Sequence, residues 1–177
     1  MVKRIEEIKR YCYTEDYSAE FDFCRKLDFK NYLSHSCYFS THRKILNTKE
    51  LKKLERFFNK CVRDYIKNVL QDPEIKVFVA DSWVAKQDTG QSVHSHKHHN
   101  RSLLIGVFYF NVPDDSTPLI LHLGIDKKVI INVQSGELII FENKFKHSVA
   151  KNNNKNTRFC LSFNLWAKEK ISLQNCS

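Results

Sequence analysis

Six short apolar segments, set apart by turn signals, constrain the fold of this chain more than any other feature. They begin after Asp72-Pro73, where Ile75, Val77 and Val79 alternate with polar or opposite-face neighbours and the run continues through Trp83-Val84. Leu103 to Asn111, Leu119 to Leu123, Val129 to Val133, Glu137 to Phe141 and Phe159 to Leu165 follow. Pro113-Asp114-Asp115-Ser116, Asp126-Lys127 and Gln134-Ser135-Gly136 fall between them, and these are the residue types that tight turns use. Strands of this length and spacing predict a double-sheet jelly roll.

The lead-in is different. Residues 1–72 read as mixed, with strand-like pieces near Cys37 to Phe39 and then one clear helix. From Leu51 through Leu54, Phe57, Phe58, Cys61, Val62, Tyr65, Ile66 and Val69 the apolar residues recur at i, i+3 and i+4, with Asn47 and Glu50 placed as a capping box. Such a helix would buttress the jelly roll from one side. At 177 residues the chain is expected to form one domain, 1–177, with its core at about 75–166, burying roughly two-thirds of its surface.

Composition excludes several classes. The six cysteines form no CxxC and none sits beside the histidines, which argues against a zinc ribbon and for free thiols in a reducing compartment. No apolar run approaches the ~20 residues of a membrane span, and MVKRIEEIKR lacks a signal-peptide core, so a soluble cytoplasmic protein is expected. The net charge of +9 invites a nucleic-acid partner, but much of it lies between Lys49 and Lys67, on the polar side of the helix. No aromatic-basic motif accompanies it, so a solvated face is the favoured reading, with attraction of an acidic partner at a distance as its possible use.

The chemistry lies with the histidines. Four of the eight fall in SVHSHKHHNRSLLIG, and on a strand His94, His96 and His98 would share one face while His99 points away. Two imidazoles at i and i+2 reach one metal; a third ligand must come from elsewhere, and His147, after the apolar strand Leu138-Ile139-Ile140-Phe141, is placed to supply it. Imidazole suits iron, zinc, copper or nickel alike.

These residues carry a family resemblance. Ser82-Trp83-Val84, Gly90, the histidines, Gly106-Val107-Phe108-Tyr109, Gly136 to Phe141, His147-Ser148-Val149 and Arg158 to Asn164 stand in an order similar to that of the iron(II)- and 2-oxoglutarate-dependent dioxygenases. The branch resembled is prolyl-hydroxylase-like and frequent in bacteriophages and marine microbes, and the resemblance covers roughly residues 75 to 166. It implies a mainly β double-stranded β-helix (jelly roll, cupin-like barrel) with flanking helices, iron(II), 2-oxoglutarate as co-substrate and O2. By the family's spacing the proximal ligands fall on His96 and His98, with His94 and His96 as the alternative register; the distal ligand falls on His147. Arg158 is the carboxylate partner of 2-oxoglutarate, where a guanidinium fork serves better than an ammonium. Tyr109, Ser162 and Asn164 supply further polar contacts to the co-substrate. The implied reaction hydroxylates a substrate C–H while 2-oxoglutarate becomes succinate and carbon dioxide, with protein or peptide side chains, prolyl for example, as the favoured substrate and the host cytoplasm as the location of a virally encoded enzyme.

Three departures from the family pattern stand out. The commonest triad has an acid two residues after the first His, where this chain has His98. Arg-x-Ser appears as Arg158-x-Cys160, and Ile105 precedes Gly106 where a small polar residue is common. An all-histidine site keeps two other classes open: a cupin-like three-His dioxygenase or isomerase without 2-oxoglutarate, and a non-catalytic metal-binding jelly roll.

Overall fold

Alternate residues of the long strands belong to two separate cores, and this explains the architecture. The structure, a computed structural model, describes residues 7–31, 36–124 and 126–168. Its strands are β1 (Ile8–Cys12), β2 (Phe29–Asn31), β3 (Tyr38–Ser40), β4 (Val77–Gln87), β5 (Val93–His96), β6 (Ser102–Asn111), β7 (Leu119–His122), β8 (Lys128–Ile131), β9 (Glu137–Glu142), β10 (Lys146–Val149) and β11 (Arg158–Ala167); its helices are α1 (Ser18–Cys24) and α2 (Lys52–Tyr65). A seven-stranded sheet, in the order β1-β9-β6-β11-β4-β3-β2, faces a four-stranded one, β5-β10-β7-β8. All pairings between named strands are antiparallel. This is the expected mainly β, double-stranded β-helix fold, and each of the six strands read from the sequence is present.

On β6, Leu104, Phe108 and Phe110 point outward to the helices, while Ile105, Val107 and Tyr109 point inward between the sheets. On β9, Leu138 and Ile140 go outward, Ile139 and Phe141 inward. A strand covered on both faces loses the alternation of a half-exposed one and reads as a continuous apolar run. The outward core is closed by α2, whose Leu54, Phe58, Cys61, Val62 and Tyr65 are buried. Full burial of side chains such as Leu54 and Phe58 contributes about 1.5–3 kcal/mol each, which holds the helix on the sheet.

The expected capping box at Asn47 and Glu50 does not form. Ile45–Asn47 and Lys49–Leu51 are 3-10 turns, α2 starts at Lys52 without a side-chain cap, and the Thr48 hydroxyl instead donates to the Ile45 carbonyl at 2.8 Å. Ile45, Leu46 and Leu51 are all buried, and bringing all three onto the sheet requires a tighter turn than an α-helix provides. The basic face of α2 is partly tied down locally: Lys52 pairs with Glu55 at 2.6 Å and Lys53 with Glu15 at 3.2 Å. Cys12, Cys24, Cys37, Cys61 and Cys160 are free thiols, and burial pushes Cys24, Cys37 and Cys61 up to about 12, so these three are inert near neutrality. Cys176 lies outside the described residues.

One contact joins sheet and helix. Gly106 sits opposite Phe163 on β11, and a Cβ at Gly106 would stand 2.1 Å from the Phe163 ring. That ring is stacked on Phe58 of α2, centroids 5.1 Å apart. The glycine makes room for an aromatic bridge between the layers. We expect Gly106→Ala to cost about 1–3 kcal/mol by overpacking, and much less in a Phe163→Ala background. Urea denaturation of the four proteins in this cycle tests it; an equal cost in both backgrounds would remove Phe163 as the cause.

Candidate active site

A one-residue irregularity in β5 decides which histidines face inward. β5 pairs with β10 so that His96 lies opposite His147 and Val93 opposite Val149, which sets three steps on β5 against two on β10. This bulge reverses the alternation. Val93 and His96 both line the space between the sheets, and His94 is left exposed. The expectation that His94, His96 and His98 share one strand face is therefore corrected: β5 ends at His96, and His98 comes from the loop beyond it. That loop is clamped by Asn143, which accepts from the His98 backbone N–H at 3.1 Å and donates to the His99 carbonyl at 3.0 Å.

His96, His98 and His147 meet, each offering one ring nitrogen within 4.8 Å of the others. Nε2 of His98 and Nε2 of His147 are 3.2 Å apart. Two nitrogens at about 2.1 Å from one metal and at right angles stand about 3 Å apart, so this spacing suits a shared ion. Outer contacts set the tautomers. His96 Nδ1 donates to the His94 carbonyl at 2.8 Å, and His98 Nδ1 donates to the Asn164 side-chain oxygen, so each presents Nε2 as the lone-pair donor. Asn164 in turn donates to Asp81 at 2.8 Å. Burial raises the Asp81 carboxyl, opposed by Arg43 and by the Asn164 bond. Burial also lowers His96, favouring the neutral imidazole that a metal requires.

Further along β11 the inward row continues as Ser162, Cys160 and Arg158, with Ser162, Cys160 and Arg158 lining the same cavity as the three histidines. Arg158 is 3 % exposed, and its Nη1 donates to the Thr117 carbonyl at 2.9 Å and, more weakly, to Gln87 at 3.5 Å. Its Nε and Nη2 are buried without a hydrogen-bond partner among the described residues. The guanidinium stands 5.0 Å from the centre of the Tyr109 ring, whose hydroxyl is likewise buried without a hydrogen-bond partner there. Burial pushes the Tyr109 phenol up, against the pull of Arg158, and keeps it a neutral donor. Phe39, Val107, Leu119 and Val149 complete an apolar wall.

The asparagine-rich segment is tied to the end of β4 beside Arg158. Asn152 is fully buried and ties the Gln87 and Asn156 carbonyls at 3.1 Å each, while Gly90 donates to the Asn152 carbonyl at 2.7 Å. What the sequence shows as low complexity is a segment fixed by hydrogen bonds. Sequence reasoning also missed Asn143, Asp81 and Gln87, polar residues without a motif around them. Asn164, expected at the co-substrate, has its carboxamide committed to His98 and Asp81. The three imidazoles and the unsatisfied guanidinium donors fit a divalent ion beside a carboxylate ligand.

Comparison with known proteins gives the same direction. Residues 122–164 match the family model described as "Putative 2OG-Fe(II) oxygenase". No curated protein matches the chain in sequence. Among solved structures, a 2OG-Fe(II) oxygenase family oxidoreductase of Burkholderia pseudomallei superposes with TM-score 0.72 at 10% identity, covering 92% of this chain and 85% of its own. A Pseudomonas putida prolyl-4-hydroxylase gives 0.67 at 14% identity, covering 96% and 100%. The viral collagen prolyl hydroxylase of Paramecium Bursaria Chlorella virus-1, in its 2OG complex, gives 0.67 at 13% identity, covering 95% and 100%. At these identities the superpositions establish the fold, and the segment that resembles the oxygenase family model contains His147 and the row from Arg158 to Asn164.

Proposed function

We propose that this chain is an iron(II)- and 2-oxoglutarate-dependent hydroxylase acting on protein or peptide side chains, with His96, His98 and His147 as metal ligands. The observation that carries the reading is Arg158. A buried guanidinium facing the metal-ligating cavity, with two donors unspent and no ion pair to a described acid, is costly unless a ligand carboxylate completes it. A three-His site working without 2-oxoglutarate gives no reason for that arrangement.

Bound iron(II) would let O2 act as the oxidant, with 2-oxoglutarate and the substrate C–H each giving two electrons, and the chain's own residues do the rest. Arg158 binds the far carboxylate and fixes its orientation through paired N–H groups. The Tyr109 hydroxyl, held neutral, donates to the same carboxylate, and Ser162 lines the path between. Asn164 acts as a positioning residue, holding His98 in the tautomer that ligates. Phe39, Val107, Leu119 and Val149 keep water from the co-substrate. The peptide preference rests on the prolyl hydroxylases among the structural neighbours.

Two measurements test this. His147→Ala should abolish iron-dependent succinate release with the fold retained by circular dichroism, and Asn164→Ala should weaken iron(II) binding roughly 10–100-fold through His98 alone. Unchanged affinity in Asn164→Ala would remove it from the support of the site. Arg158→Ala should lower 2-oxoglutarate affinity about 30-fold or more, from the ~2–5 kcal/mol lost when a desolvated charge pair is broken, while iron still binds. Arg158→Lys should recover part of it. Titration of the anaerobic iron complex, followed by its weak visible charge-transfer band, reads both; no 2-oxoglutarate binding by the wild type would move the protein to the cupin-like class.

A further inference from the structure

The end of the cavity away from Arg158 carries an uneven distribution of charge. The Arg158 end lies beside the Asn152 segment. At the other end the strand register brings together the start of β4, the ends of β5, β7 and β11, the start of β10 and the loop after β5. Lys76, Lys97, Lys146 and Lys168 belong to these strand ends and Arg43 lies on Trp83 beside them, all exposed. Lys97 stands between two of the histidines in the chain and Lys146 precedes the third; both line an open groove of about 650 Å³ shared with His122. On the far side of the histidines, Arg43 lies 4.3 Å over the Trp83 ring, which is 5.5 Å from the His98 ring.

Five described acids near this end, Glu7, Glu74, Asp81, Asp126 and Glu142, offset part of that charge, and its lysines and arginines outnumber them. Asp81 accepts from Asn164. Glu7 and Glu142 both pair with Lys144, at 3.1 and 2.8 Å. The rim therefore keeps a net positive field pointing at whatever approaches the metal.

The aromatic groups separate the two polyanions that could answer that field. Single-stranded nucleic acid needs open ring faces for its bases. Here the Trp83 face is covered by Arg43, and Trp166 is stacked against His99 at 5.4 Å and lies beneath Arg101 at 5.0 Å. These rings hold cations in place, and Phe78, the exposed ring beside Trp166, offers a single face where a strand of bases needs successive ones. A guanidinium fixed on a ring face presents its edge to a carboxylate. We infer that the segment presented to the metal is an acidic stretch of polypeptide whose carboxylates engage the rim on both sides of the histidines, an inference that rests on the hydroxylase reading above.

The test uses three fluorescein-labelled probes with the full chain: a peptide alternating Pro and Glu, one alternating Pro and Lys, and an oligothymidine. Fluorescence anisotropy should show the Pro-Glu peptide binding most tightly, and less so as salt rises. The triple variant Arg43→Gln, Lys97→Gln, Lys146→Gln should weaken it about tenfold, from three exposed pairs at roughly 0.5 kcal/mol each. Arg56→Gln, Lys60→Gln, Arg63→Gln removes the same charge from the exposed face of α2 and should leave binding within about twofold. Equal loss in both triple variants, Pro-Lys binding as well as Pro-Glu, or oligothymidine binding more tightly than Pro-Glu each overturns the inference. A 2-oxoglutarate titration of the wild-type anaerobic iron complex is run alongside. If that fails, the hydroxylase reading falls and takes the inference with it; if it succeeds and the peptides fail, only the inference is lost.

Discussion

Strand β11 must satisfy two incompatible surroundings at once, and most of the molecule is arranged around that demand. Its outward residues Leu161, Phe163 and Leu165 complete the core under α2, whereas inward Arg158, Ser162 and Asn164 form a polar row with almost no access to water, with half-buried Cys160 among them. Buried polar groups have to be hydrogen-bonded or costly. Asn164 is satisfied by His98 and Asp81, and Arg158 only in part, by Thr117 and Gln87. The strand sits in the middle of the larger sheet, between β6 and β4, so it cannot shift to relieve either face. A one-residue slip would put Phe163 into the cavity and Arg158 against the helix. Register is thus fixed by the outward apolar side, and the inward polar row is positioned as a consequence.

That division also separates what could be read in the sequence from what could not. Of the strands covered on both faces, β6 and β9 announce themselves as apolar runs and β11 as an alternation of polar and apolar residues. β1 did not: Ile8-Lys9-Arg10-Tyr11-Cys12 is an edge strand with mixed chemistry, held to β9 by register and by Arg10 on Glu137 at 2.7 Å. β2 is equally short and exposed. The histidines were legible as a cluster because imidazole is rare and its spacing is informative. Their orientation was not, since a bulge leaves no mark in the residue types; it is defined by how β5 pairs with a strand fifty residues away. Asn143, Asp81 and Asn152 act through single hydrogen bonds across the fold, and a lone Asn or Asp in a sequence carries no sign of its partner.

The three-imidazole donor set changes the electrostatics of the whole cavity. A carboxylate ligand would cancel part of a divalent charge; three neutral imidazoles cancel none of it, and Arg158 adds a further positive charge within the same cavity. With no described acid paired to Arg158, the compensating negative charge has to arrive with the ligand. A dicarboxylate meets that requirement at both ends, one carboxylate at the guanidinium and the other toward the imidazoles. The preference for an anion is therefore set by the protein before any ligand binds.

The same reasoning extends to the rim, and it gives the surplus of +9 a division of labour. Charges on the outer face of α2 stand beyond the seven-stranded sheet from the cavity, more than a Debye length of about 8 Å away at physiological salt, and act mainly on solubility. Lys97 and Lys146 adjoin His96, His98 and His147 in the chain, and Arg43 is fixed on Trp83 beside His98. At that range their field is not screened out, and it adds to that of Arg158 and the metal ligands rather than opposing it. Folding has placed each of these cations where burial is not required of it, and so their presence costs the fold little. What they provide is selection at the entrance: an anionic segment is drawn toward the histidines, and a cationic one is turned away before it reaches them.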